Sequence, residues 1–224
     1  MPATTWRPHA GAGGSTMLPD TEFLKSALAK PLGLDLQFNI ASGTASPAAL
    51  SRTEQKRYEV LEDTARAQSW LLGRAALKTL RSQLDGCADI DNMRFPNGRF
   101  SLSHSADVAL AVAEASGCLA GIGIDLEVDA RIQSAAARFF LSDDEHQWLQ
   151  SQPSERWPHH LLRLWCVKEA VFKANPGNAG KLLADHELQC PADATGTARS
   201  ADGQTMEYAS WCESRDCVAL AVCR

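Results

Sequence analysis

Nine residues constrain this chain more than any others: GIGIDLEVD at 121–129. Side chains of a β-strand point alternately to opposite faces, so Ile122, Ile124, Leu126 and Val128 fall on one side. Gly121, Gly123, Asp125, Glu127 and Asp129 fall on the other. The apolar side needs a core to cover it. The other side sets Asp125 and Glu127 roughly 7 Å apart along the strand. The glycines beside them leave room for a closely approaching ligand. Carboxylate oxygens suit a hard cation such as Mg²⁺, which keeps waters and shares substrate phosphates. The same pattern also fits a half-exposed strand with its acids in water. Periodicity alone does not separate Asp129 from its two neighbours.

The rest of the chain is compatible with an ordinary globular protein. Its 224 residues suffice for one large domain or two small ones. A formal net charge of −5 argues against wrapping nucleic acid, while leaving room for a local basic patch that binds a phosphorylated small molecule. No apolar run approaches the roughly 20 residues of a membrane span. The opening MPATTWRPHAGAGGSTML has no unbroken apolar region and reads as a loose tail, not a signal peptide. Seven cysteines, an odd number without C-x2-C spacing, point to reduced thiols in a cytoplasmic protein.

Residues 20–30 suggest a short helix, and 34–40 (LDLQFNI) a strand. A long helical stretch runs from about Ala48 to Leu84, with a break near Asp63. Three strand candidates follow at 99–103, 108–113 and 119–128, and their short turns predict an antiparallel meander. Residues 132–151 read as helical, with Ser142 and Glu145 at capping-box spacing. Another helix spans about Glu155 to Ala174. The terminal CVALAVCR reads as a strand and resembles VALAVAE at 108–114, so two helix-plus-strand halves are plausible.

On the second helix, a wheel of 100° steps puts Leu161, Leu164, Trp165, Val167, Val171, Phe172 and Ala174 on one broad arc. Lys168 falls inside that arc, where a charge is costly unless paired or snorkelling. Glu169 and Lys173 lie one turn apart at its edge. They fit a surface ion pair, and Glu169 equally fits a third carboxylate for a Mg²⁺ site.

Upstream, FSLSHS at 100–105 gathers Ser103, His104 and Ser105, small donors that can reach an anion. Arg94 and Arg99 lie just before it, around Pro96-Asn97-Gly98. On the long helix Arg66 and Arg74 are about 80° apart in projection and could form a basic stripe with Lys78, or simply a solvated face.

Taken in order, FSLSHS, GIGIDLE at 121–127 and LWCVKEAVFKA at 164–174 resemble the Sfp-type 4'-phosphopantetheinyl transferases, in their W-x-x-K-E-A form. The resemblance covers about residues 60–175, with Trp165, Lys168, Glu169, Ala170 and Lys173 in register. It implies an α+β fold: two similar α/β halves in a pseudo-two-fold arrangement, mostly antiparallel strands packed with a long helix in each. The implied division is a flexible tail at 1–19, an N-terminal half at 20–115 with coenzyme A contacts, and a C-terminal half at 116–224 with the metal site and catalytic helix.

The activity implied is Mg²⁺-dependent transfer of the phosphopantetheine arm of coenzyme A to a serine of an apo acyl or peptidyl carrier protein, releasing adenosine 3',5'-bisphosphate. Asp125, Glu127 and Glu169 resemble the metal acids, and Asp129 drops out. Glu127 or Glu169 resembles the proton acceptor. Lys173 would sit by the phosphate, with Lys168 also among the coenzyme A contacts. Ser103 and His104 resemble the diphosphate contacts, and Arg74 and Arg66 the arginines on the 3'-phosphate. The segment before FSLSHS is shorter than the family's and lacks its G-K-P, so Arg99 would stand in for that lysine. Asn175-Pro176-Gly177 replaces the usual Gly-x-Gly. A cytoplasmic monomer serving secondary metabolism is the expected setting. A coenzyme A-binding module without catalysis and a different Mg²⁺-dependent phosphotransferase are the competing readings.

Overall fold

The computed structural model describes residues 18–62, 64 and 66–224. The expected tail at 1–19 falls almost entirely outside these, whereas the long helical stretch divides where a break near Asp63 was expected, one helix ending at Leu61 and the next starting at Ala67. Helices α1 (Thr21–Leu24), α2 (Arg52–Leu61), α3 (Ala67–Asp85), α4 (Asp143–Ser151) and α5 (Trp157–Ala174) combine with eight strands. These are β1 (Leu36–Ser42), β2 (Phe100–Ser105), β3 (Val108–Glu114), β4 (Gly121–Glu127), β5 (His186–Leu188), β6 (Thr195–Ser200), β7 (Thr205–Glu213) and β8 (Asp216–Cys223). The fold is α+β with two antiparallel sheets, ordered β1-β3-β2 and β4-β8-β7-β6-β5.

Helix boundaries follow local chemistry. Ser51 opens α2 through a capping box with Glu54, and Ser142 opens α4 through the expected one with Glu145. Within the expected 132–151 helix only α4 is α-helical, because Ser134–Phe139 forms a separate 3-10 turn. Among the described residues no helix is long and apolar enough to cross a membrane.

Strand alternation sorts side chains into three cores. Val108, Leu110 and Val112 of β3 face Ile122, Ile124 and Leu126 of β4 and Val218, Leu220 and Val222 of β8 across a shared centre. The alternate alanines of β3 (Ala109, Ala111, Ala113) face Leu72, Leu77 and Leu80 of α3. Cys217, Ala219 and Ala221 of β8 likewise face α5. Bulky residues fill the space between sheets, and small ones let a helix lie close to each sheet.

Two expectations are corrected here. The three-strand meander does not form: β4 leaves β3 and pairs with β8 in the other sheet. On its remaining edge Ile122 N–H donates to the Asn97 carbonyl (3.0 Å), while Ile124 N–H donates to Ser101 Oγ (3.0 Å) and Val128 N–H to Ser105 Oγ (3.1 Å). Alternate serines of β2 thus replace a backbone ladder and join the two sheets. The cysteines are not all reduced either. Cys212 and Cys217, cross-strand partners in β7 and β8, form a disulfide. Cys87, Cys118, Cys166, Cys190 and Cys223 are free.

Candidate functional site

The site begins where α5 lies on β4. A Cβ on Gly121 would come within 1.9 Å of Ala174 O, and one on Gly123 within 1.9 Å of Ala170 O. The space beside the glycines is therefore occupied by the α5 backbone, not by a ligand as the sequence suggested. This close approach brings Glu169 and Lys173 of α5 alongside Asp125 and Glu127, two and four residues beyond Gly123.

A cavity of about 350 Å³ opens there, lined by Ser103, His104, Asp125, Glu127, Trp165, Glu169 and Lys173. Asp125 is only 4% exposed. Its Oδ1 accepts from Lys173 Nζ (2.6 Å) and Ser103 Oγ (2.8 Å). Asp125 Oδ2 is buried without a hydrogen-bond partner. Lys173 Nζ donates further to Ile124 O at 3.2 Å and Ser103 Oγ at 3.3 Å. Of the two readings left open for Glu169 and Lys173, the surface ion pair does not form, and Lys173 pairs with Asp125 instead. Glu127 Oε1 accepts from Trp165 Nε1 at 2.7 Å.

The electrostatics reflect crowded, partly dehydrated acids. Burial, with Asp125 beside it, raises the Glu127 carboxyl above its ordinary value, against the Trp165 hydrogen bond and Lys173. Glu169 is raised too, chiefly by burial, with Lys173 opposing. For Lys173, burial favours the neutral amine, but the Asp125 carboxylate outweighs it and the ammonium is held above its usual range. His104 sits exposed on the rim, its imidazole lowered by lost hydration and then by Lys173.

A second cavity of about 350 Å³ meets the first at Leu102 and Lys173. Arg74, Phe95, Phe172 and Asn178 line it, giving a mainly apolar cleft with cations at its walls. Arg74 lies 5.5 Å over the Trp70 ring, and its Nε is buried without a hydrogen-bond partner. Burial, followed by Arg57, lowers the guanidinium against the opposing effect of Glu54.

Three of the residues expected to contact coenzyme A stand elsewhere. Lys168 is fully buried and directs Nζ at both Glu145 oxygens (2.9 and 2.7 Å) and the His186 carbonyl. All three of its donors are engaged inside the protein, so none reaches either cavity. Arg99 pairs with Asp85 at 3.0 Å and lines neither cavity. Arg66 is exposed at the start of α3 and outside both linings, yet it is close enough to the rim for its charge to help lower the His104 imidazole. Lys78 is taken up by Glu54 and the Ala49 carbonyl.

Sequence reasoning missed the roles of Ser101 and Ser105, although the alternation in FSLSHS is their signal. It also missed Phe95, Phe172 and Asn178, which nothing in the sequence places together. Among the described residues no three His, Cys, Asp or Glu side chains converge as a ready metal cluster. Mg²⁺ requires no such cluster, because it is held by one or two carboxylates together with waters and substrate phosphates. The three cavity carboxylates and the unpartnered Asp125 Oδ2 fit an open site of that kind.

Residues 121–223 match a family model described as ACPS, 4'-phosphopantetheinyl transferase superfamily. A curated protein, 4'-phosphopantetheinyl transferase psf-1 of Bacillus pumilus, is 34% identical over 114 residues, covering 43% of this chain and 47% of that protein. The match therefore spans about half the length of the curated relative. The family-model match falls on the part of the chain that carries β4, α5 and their acids.

Proposed function

We propose that this chain, whose residues 121–223 match the 4'-phosphopantetheinyl transferase superfamily, moves the 4'-phosphopantetheine arm of coenzyme A onto a serine of an apo carrier protein. One observation carries this reading: an acidic cavity and an aromatic, cation-walled cavity meet at Lys173. A long substrate with a nucleotide at one end and a pyrophosphate in the middle fits that pair. Arg74, Phe95 and Phe172 would receive the nucleotide and its 3'-phosphate. Lys173, Ser103 and His104 would face the pyrophosphate, where the raised Lys173 ammonium stays charged.

Asp125, Glu127 and Glu169 would hold Mg²⁺, with Asp125 Oδ2 as a free donor atom. When bound, the ion would neutralise pyrophosphate charge as the leaving group departs. The serine Oγ forms a bond to the pantetheine phosphorus, and the P–O bond to the nucleotide phosphate breaks. The electron pair leaves with adenosine 3',5'-bisphosphate. The serine proton passes to Glu127 or Glu169, whose raised carboxyls accept it more readily than an exposed glutamate. Ser103 and the Ile124 carbonyl hold Lys173 so that its charge stays at this junction.

We read the protein as acting as a monomer. We place the metal acids in a C-terminal half (116–224) and the nucleotide contacts other than Phe172 in an N-terminal half (20–115), acting in the cytoplasm on acyl or peptidyl carriers, including those of secondary metabolism. The test is incubation with coenzyme A, Mg²⁺ and a panel of purified apo carriers, read by intact mass. One carrier should gain the arm, and adenosine 3',5'-bisphosphate should appear in equal amount. No mass gain on any carrier would refute the reading.

A further inference from the structure

Trp165 belongs to the motif that marks α5, yet the transfer chemistry gives it no task. Its indole N–H lies 2.7 Å from Glu127 Oε1. On its other side the ring meets Phe140 edge-on, with centroids 5.2 Å apart and planes at 87°. Phe140 itself is fully buried. An indole N–H can donate but not accept, so this contact can form only while Glu127 presents an acceptor oxygen. A flexible carboxylate is thereby tied to a rigid ring, which is itself packed against a fixed one.

We infer that Trp165 is the positioning residue of Glu127, occupying Oε1 so that Glu127 acts in the cavity through Oε2. This deepens the reading of the cavity given above and rests on it. The physical reason is a common one at sites of this kind. A carboxylate with two free oxygens samples several orientations, whereas a partner behind it selects one. Trp165 lines the cavity beside Glu127 and Glu169, so its ring also limits how far Glu127 can swing. Asp125 has a different arrangement, since Lys173 and Ser103 share one of its oxygens.

The test is Trp165→Phe, which keeps an aromatic ring against Phe140 and removes the donor. Mg²⁺ affinity is measured by calorimetry with coenzyme A present, next to transfer kinetics. Loss of such a partner typically weakens metal affinity or activity about 10–100-fold. We expect at least a tenfold fall in Mg²⁺ affinity and in kcat, with the KM for coenzyme A unchanged because Arg74 and Lys173 are intact. In a Glu127→Ala background, which has no acceptor for the indole, the same substitution should add little. Mg²⁺ affinity and kcat within twofold of the parent protein would overturn the assignment, as would an equal loss in the Glu127→Ala background.

A second measurement serves if Trp165→Phe does not fold. The chain has six tryptophans, so a ¹⁵N-indole spectrum should show six side-chain N–H resonances. One of them should lie downfield and move on Glu127→Gln. A spectrum that this substitution leaves unchanged would also overturn the assignment. The calorimetric and spectroscopic arms need no carrier protein, so they separate failure of this inference from failure to find transfer.

Discussion

Lys168 Nζ lies 2.7 Å from Glu145 Oε2, and neither side chain is more than 1% exposed. Glu145 also accepts from Ser142 N–H (2.8 Å) and Leu188 N–H (2.7 Å). One buried carboxylate thus ties the start of α4, the middle of α5 and strand β5 together. The helix that carries Glu169 and Lys173 is held from behind by this hub. Burial lowers the Lys168 pKa, and Glu145 opposes the shift.

Removing one partner should therefore be far worse than removing both. Glu145→Leu leaves a dehydrated ammonium and should cost about 3–5 kcal/mol. Lys168→Met combined with Glu145→Leu should cost much less than the sum of the single changes, because neither charge remains. Urea denaturation of the four proteins measures this. A single-variant cost below about 1 kcal/mol, the range of an exposed pair, would contradict the hub.

Glu169 should trade stability for function. Its folded pKa is raised above the ordinary 4.5, so the folded protein holds the proton more tightly than the unfolded chain. The ionised carboxylate therefore costs stability above the folded pKa. That cost disappears as pH falls below 4.5. Glu169→Gln should accordingly raise Tm at pH 8 without Mg²⁺, and the gain should vanish in acid. Transfer activity should be lost in the same variant. Thermal melts at several pH values check the sign, and an unchanged or lower Tm at pH 8 would count against it.

Gly123→Ala should displace α5. Its methyl would stand 1.9 Å from Ala170 O and 2.6 Å from Ala174 N, both backbone atoms with little freedom to move. Overpacking of this kind costs about 1–3 kcal/mol, occasionally more. Activity should fall with stability, because Glu169 and Lys173 ride on the displaced helix. Gly73→Ala is the control: its methyl would meet the end of the Leu102 side chain at 2.9 Å, which can turn aside. Its melt should stay close to the parent's, since alanine also favours the helix by up to about 1 kcal/mol.

Local rules account for much of what was legible in advance. The alternation in 121–128 did place four apolar residues against a core and two acids on the opposite face. Ser142 and Glu145 did form their capping box, because that contact spans only three residues. What the alternation left open was the occupant of the space beside the glycines. A ligand and a helix backbone both need a missing Cβ, and only packing shows that α5 fills it.

Partner choice also escaped the sequence. Lys168 within an apolar arc demanded a counter-charge, yet Glu145 lies 23 residues away on another helix. Strand β4 followed β3 closely enough to suggest a hairpin, but pairing with β8 buries the same apolar face between two sheets. Arg99 stood next to FSLSHS, and Asp85 of α3 draws it away. The sequence by itself determined which residues alternate, cap helices and carry charge, since those properties act over a few residues. Tertiary structure alone decided that Asp125, Glu127, Glu169 and Lys173 share one cavity. That convergence depends on how closely α5 approaches β4, and the approach is set by long-range packing that no local spacing records.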